Sequence, residues 1–133
     1  MSPKKEIKKI FLVQDDADYA GFIQKSLEKE DLYSVEVFKS GELCLAEIKK
    51  NMIPSTVIID YYLPGMNGLE LYSAIRKKNN SVQLIILSAN TDASLVVEMI
   101  KKGIRKYAIK NENVIVSLQA LMEEDDDLFI DLH

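Results

Sequence analysis

Five residues carry the chemistry available to this chain: Asp15, Asp16, Asp60, Ser88 and Lys110. Each stands at the carboxyl end of a short apolar run. Asp15-Asp16 follow Ile10-Phe11-Leu12-Val13-Gln14, and Asp60 follows Val57-Ile58-Ile59. Ser88 follows Leu84-Ile85-Ile86-Leu87, and Lys110 follows Tyr107-Ala108-Ile109. Singly, each has a plain reading. Asp16 could cap the following helix, Asp60 could be a turn residue ahead of Pro64-Gly65, Ser88 could cap or turn, and Lys110 could be solvated. Gathered on one rim they mean more. Three clustered carboxylates repel one another unless a cation joins them. Oxygen-only donors of this kind suit Mg²⁺ (or Mn²⁺). The lysine would meet a second anion, read as a phosphoryl group. A carboxylate can take such a group as an aspartyl-phosphate once its own charge is screened.

Other chemistries are excluded by small counts. The chain of 133 residues has one cysteine, Cys44, and one histidine, the terminal His133. No disulfide and no Cys/His zinc site can be assembled, and a histidine-based triad would need the chain end to fold into a cleft. Cys44, between Leu43 and Leu45, reads as a packed core thiol.

The formal charge of −4 is uneven. Glu123, Glu124, Asp125, Asp126, Asp127 and Asp131 lie at the end, leaving residues 1–122 at +2 from 17 basic and 15 acidic side chains. Residues 123–133 are expected to be a solvated acidic tail, unstructured or a cloning remnant. No apolar stretch approaches the roughly 20 residues of a membrane span, and no secretory leader is visible. The expectation is a cytoplasmic protein. Its scattered lysines, without interleaved aromatics, give no sign of nucleic-acid binding.

The elements that must position the five residues follow from periodicity. Continuous β-branched runs at residues 10–13, 57–59 and 84–87 predict strands buried on both faces. Val35-Glu36-Val37-Phe38 and Tyr107-Ala108-Ile109 are mixed or short and predict the two edges. Helical spacing fills the gaps: Tyr19, Ile23 and Leu27; Leu43, Ala46 and Ile48; Leu69, Tyr72 and Ile75; Val96, Met99 and Ile100; Ile115, Leu118 and Met122. Ser40 caps the second helix, Asn67 and Glu70 make a capping box on the third, and Gly103 closes the fourth. Five βα units predict an α/β, flavodoxin-like doubly wound parallel sheet in the order 2-1-3-4-5. In that fold, ligands sit outside the carboxyl ends of the strands at the switch between strands one and three.

From Ile7 to about Met122 the chain resembles the receiver domain of two-component response regulators, with residues 1–122 as the domain. The resemblance rests on Asp15-Asp16, Asp60 within Ile-Ile-Asp-Tyr-Tyr-Leu-Pro-Gly-Met-Asn-Gly, Ser88-Ala89 and Lys110. It implies Asp60 as phosphoacceptor, and Mg²⁺ held by Asp15, Asp16, Asp60 and the backbone carbonyl of Tyr62. Ser88 and Lys110 would each meet a phosphoryl oxygen. Tyr107, coupled to Ser88, would be the switch aromatic for a surface made by the fourth helix, fifth strand and fifth helix. Such a chain is a phosphoacceptor that assists its own phosphotransfer and dephosphorylation, not a conventional enzyme. Its donor would be a sensor histidine kinase or a histidine phosphotransfer protein, because no internal histidine exists here. The effector is unidentified, a homodimer formed on phosphorylation is an option, and the receiver could stand alone or be excised from a longer regulator.

Two departures matter. Asn111 follows Lys110 where the family has a cis proline, so a trans bond is expected. Tyr62, two beyond the acceptor, is bulky and would shield an acyl phosphate from water, with Asn90 flanking the same approach. Among competing readings, FMN binding is opposed by the acidic first loop Asp15-Asp16-Ala17-Asp18. An aspartyl phosphatase would need an acid where Tyr62 stands. The remaining alternative is a receiver-like module that docks partners without phosphorylation.

Overall fold

A computed structural model describes residues 6–50, 53–89 and 93–124. The elements alternate strictly: β1 Lys8–Val13, α1 Ala17–Glu28, β2 Tyr33–Phe38, α2 Gly41–Lys49, β3 Thr56–Asp60. They continue with α3 Gly68–Lys78, β4 Gln83–Ser88, α4 Ala93–Lys101, β5 Tyr107–Ile109 and α5 Val114–Glu123. The five strands are parallel in the order β2-β1-β3-β4-β5, as the run lengths predict.

Alternation along the central strands divides the interior into two layers. Phe11, Val13, Val57, Ile59, Leu84 and Ile86 point to one face, where α2, α3 and α4 cover them. Ile10, Leu12, Ile58, Ile85 and Leu87 point to the other, under α1 and α5. Both faces being covered is why these strands read as unbroken apolar runs. Each such side chain contributes about 1.5–3 kcal/mol by leaving water.

The punctuation largely agrees with expectation. The Ser40 hydroxyl accepts the Leu43 N–H, and Asn67 and Glu70 form both halves of a capping box. Gly103 adopts φ +79° just past α4, a conformation that favours glycine. Two helix faces differ. On α2, Leu43 is 57% exposed and Ala46 is exposed, while Cys44 and Ile48 face the core. Apolar residues surround that helix, so spacing alone did not single out the buried pair. On α4 the buried residues are Leu95 and Met99, and Ile100 is exposed. Cys44 is a core thiol as expected, with burial pushing its pKa up to about 12. Among the described residues no helix is long and apolar enough to cross a membrane. The acidic residues from Asp125 onward, and Asn90, lie outside the described residues.

Candidate functional site

Strand register brings the chemistry together. Val13 is level with Ile59, Asp60 with Leu87, and Ser88 with Ile109, so β1, β3, β4 and β5 end on one rim. Asp60 is the last residue of β3 and only 1% exposed. Burying a carboxylate so fully requires partners, and among the described residues three meet it. The Lys110 ammonium and the Gln14 amide both contact Oδ2, and the Tyr62 N–H donates to Oδ1 at 2.8 Å.

Lys110 arrives there through backbone restraint. Its N–H donates to the Ser88 carbonyl at 2.9 Å, continuing the β4–β5 ladder past the end of β5. The Lys110–Asn111 bond is trans, as expected without proline. Asn111 instead holds the loop with its side chain, accepting the Asn113 N–H at 2.9 Å. The ammonium also lies 5.2 Å from the centre of the Tyr19 ring. The buried Tyr19 hydroxyl has no hydrogen-bond partner among the described residues. Burial, and secondarily the charge of Asp60, raise its pKa.

The other side of Asp60 is held by packing. A methyl group at Gly68 would lie 2.5 Å from the Asp60 carbonyl and 2.9 Å from Tyr61 Cα, so only glycine lets α3 start so close to β3. Gly65 turns at φ +70°, and the Glu42 carboxylate of α2 accepts the neighbouring Met66 N–H at 3.1 Å. Gly68→Ala is expected to lower stability by about 2–3 kcal/mol, because backbone atoms must move. Urea denaturation followed by circular dichroism checks this; an unchanged midpoint would mean that the approach is slack.

The acidic pair divides. Asp15 is exposed and borders a shallow depression with Tyr61, Tyr62, Leu63, Pro64 and Asn67. Asp16 goes elsewhere: its carboxylate accepts the Tyr19 N–H at 3.1 Å and caps α1. The position that reaches Asp60 from β1 is Gln14, 2% exposed. The expected cluster of three carboxylates is therefore not assembled. Among the described residues no three Asp, Glu, His or Cys side chains gather to hold a metal ion. The donors that do face the rim are Asp15, Asp60 and neutral groups, which fit a three-carboxylate metal centre poorly.

Ser88 is buried at the end of β4. Tyr107 is 37% exposed beside Val96, Ile100 and Ile104 in a cleft of the α4–β5 face. Tyr62 is 61% exposed, edge-on to Tyr61 at 4.7 Å between centroids. Sequence reasoning missed Gln14, Tyr19 and Gly68 as contributors. A polar residue directly after an apolar strand, at the ligand-facing end, was the available signal for Gln14.

The response regulator receiver domain model matches residues 10–122. The chain belongs to this family. The receiver is 32% identical over 112 residues to the chemotaxis protein CheY of Listeria monocytogenes, covering 83% of this chain and 92% of that one. It is 30% identical to the response regulator ArlR of Staphylococcus saprophyticus, covering 86% of this chain and 52% of ArlR. Among solved structures, a CheY-like receiver domain protein from Methanospirillum hungatei superposes with a TM-score of 0.79 at 25% identity. That match covers 95% of this chain and 99% of that one. Membership places the chain with two-component signalling proteins and makes kinases and effectors its class of partners.

Proposed function

We propose that this receiver is the phosphoacceptor of a two-component phosphorelay. One Asp60 carboxylate oxygen attacks the phosphorus of a phosphohistidine on a sensor histidine kinase or histidine phosphotransfer protein. The P–N bond breaks, the imidazole leaves, and an acyl phosphate forms on Asp60. The reading is supported most by the Lys110 ammonium, held on a buried carboxylate at the fold's ligand-binding edge. That charge offsets the repulsion between carboxylate and incoming phosphoryl group. Ser88 and the Tyr62 N–H stand at the same strand ends to meet phosphoryl oxygens. The chain would assist its own phosphorylation and hydrolysis without being a conventional enzyme. Dependence on Mg²⁺ or Mn²⁺ is proposed on the family resemblance, with Asp15 and Asp60 as the carboxylates that remain for it.

The output would be a change in the α4–β5–α5 face. Val97, Ile100 and Val116 are exposed there and Tyr107 half-exposed, which suits a surface that a protein partner covers. Ser88 and Tyr107 would carry the switch, biasing two pre-existing arrangements.

One observation favours a second reading, docking without phosphorylation: the Gln14 amide already satisfies Asp60 in place of a metal. Incubation with acetyl phosphate or beryllofluoride and Mg²⁺, followed by intact-mass measurement, separates the two. A single adduct supports the phosphoacceptor; none supports the docking module. A bulky ring at the mouth also limits water. Tyr62→Asn is expected to shorten the phosphoryl half-life by about 2- to 10-fold, since hydrolysis depends on access. Equal half-lives of the two proteins would remove that role.

A further inference from the structure

We infer that Gln14 sets the metal affinity of this receiver. It directly follows β1, reaches Asp60 and bonds the carboxylate with a neutral amide. The inference deepens the phosphoacceptor reading and rests on it for its biological meaning.

Three observations converge. First, Gln14 is among the few buried polar side chains of the described residues, with Thr56, Asp60, Ser88 and Lys106, and it touches Asp60. A buried amide must have both ends satisfied. Its Nε2 donates to Asp60 Oδ2, and its Oε1 accepts the Asp16 N–H at 3.1 Å. The two contacts also fix which end is which. The reverse orientation would set oxygen against carboxylate and N–H against N–H. Second, Asp16 is committed to capping α1, so it cannot substitute for a carboxylate at position 14. Third, Lys110 shares Oδ2 with Gln14, so the acceptor's charge is offset by a cation already in the chain.

Geometry explains why an amide here competes with an ion. A cation bridging two oxygens through bonds of about 2.0–2.1 Å holds them about 3 Å or more apart. Aspartate at position 14 would be one methylene shorter than glutamine, leaving a gap of that order in front of Asp60. Glutamine spans the gap and closes it with a hydrogen bond. Mg²⁺ must then displace that bond and gains no charge from position 14 in return, with Asp15 and Asp60 as the carboxylates left to it. Weak metal binding, with Lys110 and Gln14 holding the acceptor in the metal-free chain, is the consequence.

Calorimetric titration of MgCl₂ into the unphosphorylated full chain tests this with wild type, Gln14→Asp and Gln14→Asn. Gln14→Asp is expected to bind Mg²⁺ about 10- to 100-fold more tightly than wild type, the range by which groups around a metal change its affinity. Gln14→Asn, equally short but neutral, is expected to stay within about threefold of wild type, since it adds no charged ligand. Equal affinity of wild type and Gln14→Asp would overturn the inference. So would a gain in Gln14→Asn matching that of Gln14→Asp, because room alone would then explain it. If Gln14→Asp does not fold in metal-free buffer, melting with and without Mg²⁺ decides. Rescue by the ion supports the inference, and for a chain that no ion rescues Gln14→Glu takes its place in the titration with the same two outcomes. Failure to form a phosphoryl adduct would strike the phosphoacceptor reading and leave these affinities unaffected.

Discussion

Asp60→Asn is expected to abolish phosphoryl incorporation from acetyl phosphate while the chain stays folded. The amide oxygen is a far poorer nucleophile than a carboxylate and cannot give a stable acyl phosphate. Its oxygen can still accept the Tyr62 N–H, so the β3–α3 loop keeps one anchor. What is lost is the buried negative charge beneath Lys110, whose side chain is 24% exposed and can turn to water. The cost to stability is therefore small, about 1 kcal/mol. Intact-mass measurement before and after hydroxylamine, which cleaves acyl phosphates, reads the outcome. Persisting, hydroxylamine-sensitive label in Asp60→Asn would move the acceptor to Asp15, the exposed carboxylate at the same rim.

Lys110→Met is expected to damage both transfer and folding. Removing a positioned cation from a site of developing negative charge costs about 10²- to 10³-fold in rate. It also strands Asp60, which among the described residues keeps the Gln14 amide and the Tyr62 N–H. Breaking a buried pair on one side costs about 3–5 kcal/mol; partial exposure of the lysine argues for the lower end here. The double variant Lys110→Met/Asp60→Asn separates the two effects. It should recover most of the lost stability, because no uncompensated charge remains, and none of the transfer. Urea midpoints for the four proteins give the coupling. A double variant no more stable than Lys110→Met would show that the lysine stem, rather than its charge, supports the fold.

The sheet was legible in the sequence because its physical cause is local. Strands covered on both faces need unbroken apolar runs, and the three runs at β1, β3 and β4 have no other reading. Helix faces were less legible where apolar residues ring the helix, as on α2. Of the site, Asp60, Ser88 and Lys110 were legible as strand-terminal polar residues. The β1 end was not, because two demands compete for one acidic pair. The strand stops at Val13 and α1 needs a cap, so Asp16 serves the helix and the rim position falls one residue earlier, on Gln14. Tyr19 was equally hidden. Its spacing with Ile23 and Leu27 marks a core face, and only the folded chain shows its ring beneath the lysine.

The Glu42 contact with Met66 has a mechanical corollary. The segment after Asp60 is clamped at Gly65–Met66 by a neighbouring helix and at Gly68 by the backbone at the end of β3. Across the rim, Lys110, just past the three-residue strand β5, is tied to Asp60 by charge. The rim thus has one wall held by helix and backbone contacts and another that carries the charge paired with Asp60. On the phosphoacceptor reading proposed above, a change of charge on Asp60 would act first on the side held by charge, and that would set the direction in which a signal leaves the site.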